Sequence, residues 1–422
     1  MKKIKTKIKK FFQSSYFLRN LFNKLQVWKQ KQYYKKYCIP LPIDENLIVF
    51  ESFLGKQYAC SPKAIYEAIK NDPQYANYCF AWMFQSVNPN RMMLGDERTV
   101  IVRYGSKKYY RMYARAKYWV SNGELPEAIV KKDGQIYIQT WQGTPLKKMG
   151  MDLEMEENIT KSQKARHKKC LSAAMKYDYF ISPSRFGTDI FKRALGLSVL
   201  GKEDIIIEEG SPRNDFLYQY NDDEVMQIKK MLGISEKKKV ILYAPAQRDN
   251  QNPLGAKGTS GPFDYMKEFV DSLSDEYVVL VRLRDLFVNS LSLAGYEEKV
   301  KDCSKMDDVN KLYVISDVLI TDYSNVIFDY SNLKRPILFY MHDLDEYENS
   351  GRDFYVDLKE LPGPIAKTAN ELLEKLKNIE SVSEQYKESY KAFREKYTYL
   401  DDENAGLRVV KRCIRCVNEL SI

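Results

Sequence analysis

Short apolar runs alternate with helix-spaced patterns along most of this chain. Residues 47–50 form an apolar run, and the spacing over about 62–70 predicts a helix after it. Further runs at 78–82, 100–102, 118–120, 136–138 and 179–181 predict strands, with helices over about 109–115 and 161–176. A second series begins near Ser211. Its strands are expected at 240–243, 277–281, 318–320 and 337–339, again with helices between them. Strands that alternate with helices imply parallel α/β sheets with right-handed crossovers. Two successive halves of similar size predict two facing, Rossmann-like, doubly wound domains with a cleft between them. The expected division is a basic segment at 1–43, an acceptor-side α/β domain at 44–210 and a donor-binding α/β domain at 211–380. Helices at 381–422, the last over about 403–420, are expected to brace the first domain. The Gly-, Pro-, Asn- and Lys-rich stretch 249–262 reads as a mobile loop.

The first 43 residues have a different pattern. Ile4, Ile8, Phe11, Leu18, Phe22, Leu25 and Trp28 recur at spacings of three, four and seven, which lines one face of a helix. Lysines and Arg19 fill the other faces, and Pro40 and Pro42 end the pattern. A helix so built suits an anionic cytoplasmic membrane surface, where each basic residue contributes ~1 kcal/mol. A solvated basic arm, or a helix packed on the body, is the alternative.

Charge sharpens this division. The segment 1–43 holds eleven Lys plus Arg19 and no acidic residue, a charge of +12. The whole chain carries +10, so the rest sums to −2. The basicity belongs to the tail, which argues against a nucleic-acid partner. No apolar run approaches the ~20 residues that span a bilayer. The expected location is therefore peripheral, on the cytoplasmic face of the cell membrane. The seven cysteines are odd in number and scattered, as in reduced thiols. Cys413 and Cys416 form a lone CxxC, and His167 and His342 are the only histidines, so neither a metal nor a cofactor is expected.

Candidate chemistry lies where apolar runs stop. The segment 319–328 passes from a strand through Thr321-Asp322-Tyr323-Ser324-Asn325 into a helix, with Asp322 as the expected N-cap. Backbone N–H groups there, with the Ser324 hydroxyl and the Asn325 amide, suit a phosphate at the carboxyl end of a parallel sheet. Arg248 follows one strand, Arg282 and Arg284 follow the next, and Arg213 lies at the domain junction. Arginine forks match phosphate oxygens, so this set predicts a pyrophosphate-bearing ligand. In the first half, Thr140-Trp141-Gln142-Gly143-Thr144-Pro145 turns sharply after a strand and is followed by Lys147 and Lys148. It reads as an anion-tolerant loop at a cleft.

The order of these segments resembles the CDP-glycerol glycerophosphotransferase family. The resemblance spans about 45–365 and includes residues 52–58, 140–150, 182–184, 210–215, 243–248, 321–330, 334–337, 343–347 and 361–364. It implies a GT-B fold, a CDP-glycerol or related CDP-polyol donor held mainly by the second domain, and a lipid-linked acceptor. Arg213, Arg248, Arg282, Thr321, Ser324 and Asn325 are the donor-binding candidates. The family has histidine where this chain has Gln142, and His-Pro where it has Arg284-Asp285. Gln142 and Arg284 therefore occupy the catalytic positions. An amide cannot accept a proton usefully; Glu51, Asp152 and Asp249 are the carboxylates considered as a substitute base. A homologue that binds without catalysis, or one that uses another nucleotide-linked donor, is the alternative.

Overall fold

The computed structural model describes residues 16–86, 97–153, 161–246, 263–283, 293–350 and 353–415. The described strands form two all-parallel sheets. The first holds β1 (Asp44–Glu51), β2 (Cys79–Phe84), β3 (Thr99–Arg103), β4 (Ala116–Ser121), β5 (Ile136–Gln139), β6 (Tyr179–Ser182) and β7 (Ile206–Glu208), in the order β3-β2-β1-β4-β5-β6-β7. The second holds β8 (Lys239–Tyr243), β9 (Tyr277–Val281), β10 (Val300–Asp302), β11 (Val318–Thr321), β12 (Ile337–Tyr340) and β13 (Ile365–Ala366), in the order β10-β9-β8-β11-β12-β13. This is the expected doubly wound, GT-B-like arrangement.

Helices cover both faces of each sheet, so central strands are buried on both sides and read as continuous apolar runs. All four residues of β11 are buried, as are the last four of β8 and of β9. The strands absent from the sequence reading, β7, β10 and β13, are sheet edges of two or three residues. They are too short to carry a periodicity. Each sheet order reverses once, between β1 and β4 and between β8 and β11. The loops leaving those central strands diverge and open a crevice at the carboxyl ends.

The last described helices touch both halves. Phe393 and Tyr397 of the helix Lys387–Tyr397 join the second sheet's core. Val409, Val410 and Cys413 of the helix Ala405–Cys413 pack with Ile65, Ile69 and Tyr78 over the first. The remainder of the expected 403–420 helix, from 416 on, lies outside the described residues. Between the two helices, buried Asp401 accepts from Ser211 N at 2.7 Å, Asn214 Nδ2 at 2.7 Å and Asn332 Nδ2 at 2.9 Å. Asp215 Oδ2 accepts from Gly406 N at 2.8 Å, while buried Oδ1 has no partner among the described residues.

Burial, with Asp401 and Asp402 nearby, pushes the Asp215 carboxyl up to about 8. The folded state thus keeps a proton that the unfolded chain releases near pH ~4. This group's stabilisation is complete below that pH and is lost as pH rises toward 8. Asp215→Asn is expected to flatten the fall in Tm between pH 5 and 9 and to be more stable than the parent at pH 8.5. Melting curves across that range check it; an unchanged pH slope would contradict it.

The N-terminal helix Tyr16–Tyr37 docks by its C-terminal end. Tyr34 and Cys38 are buried in the first sheet's core, and Lys31 Nζ meets Glu127 at 2.9 Å. Leu21, Leu25 and Trp28 are left exposed at 44, 49 and 57%. Ile4, Ile8 and Phe11 lie outside the described residues.

Candidate functional site

In the second sheet the switch point is bounded by 244–246 after β8 and 322–325 after β11. Two hydrogen bonds fasten these lips together. Thr321 Oγ1 donates to the Ala244 carbonyl at 2.8 Å, and Ala246 N donates to Asp322 Oδ1 at 2.6 Å. Asp322 is therefore not the helix cap expected from sequence. Its carboxylate turns to the neighbouring loop, and Asn325 takes the cap position of the short helix Val326–Tyr330 without a side-chain cap bond. A five-residue helix adds little dipole, so anion binding here rests on local N–H groups and side chains. Among the described residues, the Ser324 and Asn325 N–H groups donate to no backbone carbonyl.

The first sheet's switch point is equally shaped. Chain leaving β1 passes through Phe53, Leu54 and Gly55 at φ 50°, 58° and 76°. Left-handed non-glycine residues cost of order 1 kcal/mol each and persist where surroundings hold them. Here Phe53 N donates to Asn122 Oδ1 at 2.7 Å, and Asn122 is fully buried just beyond β4. The Asn122 carbonyl accepts from Gln142 Nε2 at 3.1 Å. Gln142 sits past β5 between Trp141 at φ 54° and Gly143 at φ 104°.

The two crevices meet at one carbonyl. Arg213 Nη1 donates to Gln142 O, and Asn325 Nδ2 reaches the same oxygen at 3.5 Å. The other side of the Arg213 fork grips Asp329, with Nε at 3.0 Å and Nη2 at 2.7 and 2.6 Å. Burial works to lower the Arg213 pKa, but the Asp329 charge outweighs it and holds the guanidinium protonated. A Cβ on Gly143 would overlap the Arg213 guanidinium, and its φ is left-handed, so the position requires glycine. Beside this joint the halves are also strapped. Lys148 N donates to Asp353 O at 2.7 Å and Tyr355 N to Leu146 O at 2.9 Å. Lys147 Nζ lies 4.9 Å from the Tyr347 ring centre, over a stack with Tyr323 at 3.9 Å.

Gln142, Arg213 and Asn325 are thus brought together, with Thr321 and Ser324 on the adjoining loop. Arg282 is turned elsewhere: Nη1 donates to Cys303 O at 3.1 Å and Met306 O at 2.6 Å, and burial lowers its pKa. Arg248, Arg284, Asp285 and the whole of 249–262, Asp249 included, lie outside the described residues. Glu51 is fully buried, with Tyr113 OH at 3.2 Å from Oε2, and burial raises it to about 7 against opposing tyrosine hydrogen bonds. Asp152 accepts from Tyr355 OH at 2.8 Å and lies 3.5 Å from Arg193. Asn122 and Asp329 are site residues that the sequence reading missed. A Ser-Asn-Gly turn directly after an apolar strand, and an acid inside the apolar helix 326–330, were their signals. A buried acid in such a run demands a cationic partner.

Comparison with known proteins agrees with this architecture. The profile of the family described as "CDP-Glycerol:Poly(glycerophosphate) glycerophosphotransferase" matches residues 33–415. A teichoic acid poly(glycerol phosphate) polymerase of Bacillus spizizenii is 36% identical over 377 residues, covering 89% of this chain and 93% of the relative. A teichoic acid glycerol-phosphate transferase of Staphylococcus aureus is 37% identical, covering 87% and 92%. The polymerase of Bacillus subtilis is 39% identical over 88% of this chain but only 49% of its own length, so the chain spans about half of that relative. A solved structure of the wall teichoic acid polymerase TagF superposes with a TM-score of 0.83 at 34% identity, covering 96% of this chain and 97% of that one.

Proposed function

The chain belongs to the CDP-glycerol:poly(glycerophosphate) glycerophosphotransferase family, and on that premise we propose that it moves glycerol phosphate, or a related polyol phosphate, from a CDP-linked donor onto a teichoic-acid-type polymer. An acceptor hydroxyl oxygen attacks the polyol-bearing phosphorus, the pyrophosphate bond breaks and CMP leaves. The reading puts the donor diphosphate at the second sheet's crevice, near Thr321, Ser324 and Asn325, with Arg248 and Arg284 as its further contacts. The acceptor lies against the Gln142 side. The observation that carries it is the joint at the Gln142 carbonyl, which holds the two crevices together through Arg213 and Asn325.

Phosphoryl transfer passes through a loose transition state that depends mainly on positioning and electrostatics. Turnover with an amide at position 142 is thus slow rather than forbidden. Arg213 and Arg282, bonded to Asp329 and to backbone carbonyls, act as positioning residues. A second reading, donor binding without turnover, draws on the amide of Gln142 itself. Calorimetric titration with CDP-glycerol, CDP-ribitol and a UDP-sugar tests the donor assignment: CDP-polyols are expected to bind and the UDP-sugar not. Preference for the UDP-sugar would overturn it.

The acceptor is proposed to be lipid-linked, with the protein lying on the cytoplasmic membrane face. Support comes from the exposed Leu21, Leu25 and Trp28, at i, i+4 and i+7 beside Lys24 and Lys29. Among the described residues no helix is long and apolar enough to cross a membrane. Adding anionic phospholipid vesicles is expected to shift tryptophan emission to the blue, less so at high salt and not in Trp28→Ser. A shift that survives Trp28→Ser would contradict this orientation.

A further inference from the structure

A groove of about 340 Å³ lies on the second sheet at the edge opposite the cleft. It runs between the loops that enter β12 and β13 and the helices Ile379–Gln385 and Lys387–Tyr397. Among the described residues, five cationic side chains line it, Lys334, Arg335, Lys387, Lys391 and Arg394, and no carboxylate does. Since the chain beyond the tail sums to −2, five cations around one groove mark a local departure. Between them the walls are apolar, formed by Pro336, Pro364, Tyr386 and Tyr390.

These cations are not equally committed. Arg335 Nη1 is fixed on the carbonyls of Val314 at 2.8 Å and Ser316 at 2.7 Å and forms part of the wall. Arg394 Nε is buried with no hydrogen-bond partner among the described residues, a donor left unmatched. Lys387 meets Glu384 of the preceding helix at 3.1 Å and Lys391 meets Glu395 of its own helix at 3.9 Å, both as exposed pairs. Solvated pairs of this kind yield readily to a better anion.

Cations spaced along an apolar wall suit a flexible chain of phosphates separated by short carbon segments. We propose that this groove holds the growing poly(polyol phosphate) chain away from the transfer cleft, an inference that rests on the proposed transfer reaction. Groove and cleft lie at opposite ends of the strands. The four residues of β12 alone separate them by about 13 Å. Only an acceptor several repeats long reaches both, and tethering there keeps its end at high local concentration.

The test uses the full chain and fluorescently labelled poly(glycerol phosphate), long and short, followed by anisotropy. Lys387→Gln with Lys391→Gln is expected to weaken binding of the long polymer roughly ten-fold at low salt. Binding of the short oligomer and CMP release with a short acceptor stay unchanged. Lys387→Arg with Lys391→Arg retains long-polymer binding. Unchanged affinity in the glutamine pair, or equal loss for short and long chains, overturns the proposal. So does loss of anionic-vesicle binding with polymer binding intact, which would make a lipid surface the occupant. Because anisotropy needs no turnover, a protein that binds the polymer as expected but releases no CMP would overturn the transfer reading and leave the groove assignment standing.

Discussion

Arg213→Ala is expected to destabilise the folded protein by about 3–5 kcal/mol, because it leaves Asp329 as an unpaired buried charge. The two side chains are only 12 and 7% exposed, and the fork grips both carboxylate oxygens at 2.7 and 2.6 Å. Removing one partner forfeits the charge pairing while the cost of burying the other remains. The Gln142 carbonyl loses a donor as well. Arg213→Lys keeps the charge but not the planar fork, and should fall between the parent and alanine. The pair Arg213→Met with Asp329→Leu removes both charges and should recover much of the stability, since burying an ion pair is costly in itself. It should not recover activity, because the Arg213 bond to the Gln142 carbonyl is lost and the long Asn325 contact at 3.5 Å is left to hold it to the second half. Urea midpoints and CMP release on the same four proteins separate the two effects. A loss below 1 kcal/mol in Arg213→Ala would show that the pair is not the joint described here.

Gln142→His is expected to raise kcat/KM for transfer by ~10²-fold or more, the lower end of what a positioned general base supplies. The reason lies in Asn122. Its carbonyl already accepts from the Gln142 side-chain amide at 3.1 Å. An imidazole N–H in that place would donate to the same oxygen, which fixes the tautomer and leaves the other ring nitrogen free to accept a proton. The gain should therefore grow as pH rises through ~6.5, where the imidazole becomes neutral. The pH profile of kcat/KM for parent and variant is the measurement. An equal gain at every pH would mean that the new side chain acts through packing. A gain from no detectable parent rate would favour the binding-only reading.

Much of the fold was legible because these sheets are covered on both faces. Where helices hide a strand completely, as at β8, β9 and β11, the sequence must be apolar without interruption. At the edges that constraint lapses, and β7, β10 and β13 left no trace. The site was legible in its residues and less so in their partners. Strand ends, glycines and arginines announce themselves locally, so Gln142, Arg213, Ser324 and Asn325 stand out as candidates. That Arg213 would face an acid 116 positions away, or that Asp322 would bond to Ala246 across the crevice instead of capping its own helix, depends on which strands lie side by side. Neighbour order in a parallel sheet is a property of the crossovers, and no local pattern encodes it. Asn122 shows the same limit: its side chain and its carbonyl serve two different loops.

The most direct measurement is CMP release from CDP-glycerol by the unmodified protein, with incorporated glycerol phosphate counted on a primed lipid-linked acceptor. The account expects the two to appear in equal amounts, slowly, and both to vanish in Gly143→Ala, whose methyl group would displace Arg213 from the Gln142 carbonyl. Equal release and incorporation that persist undiminished in Gly143→Ala, or no release under conditions in which a histidine-bearing relative turns over, would contradict it.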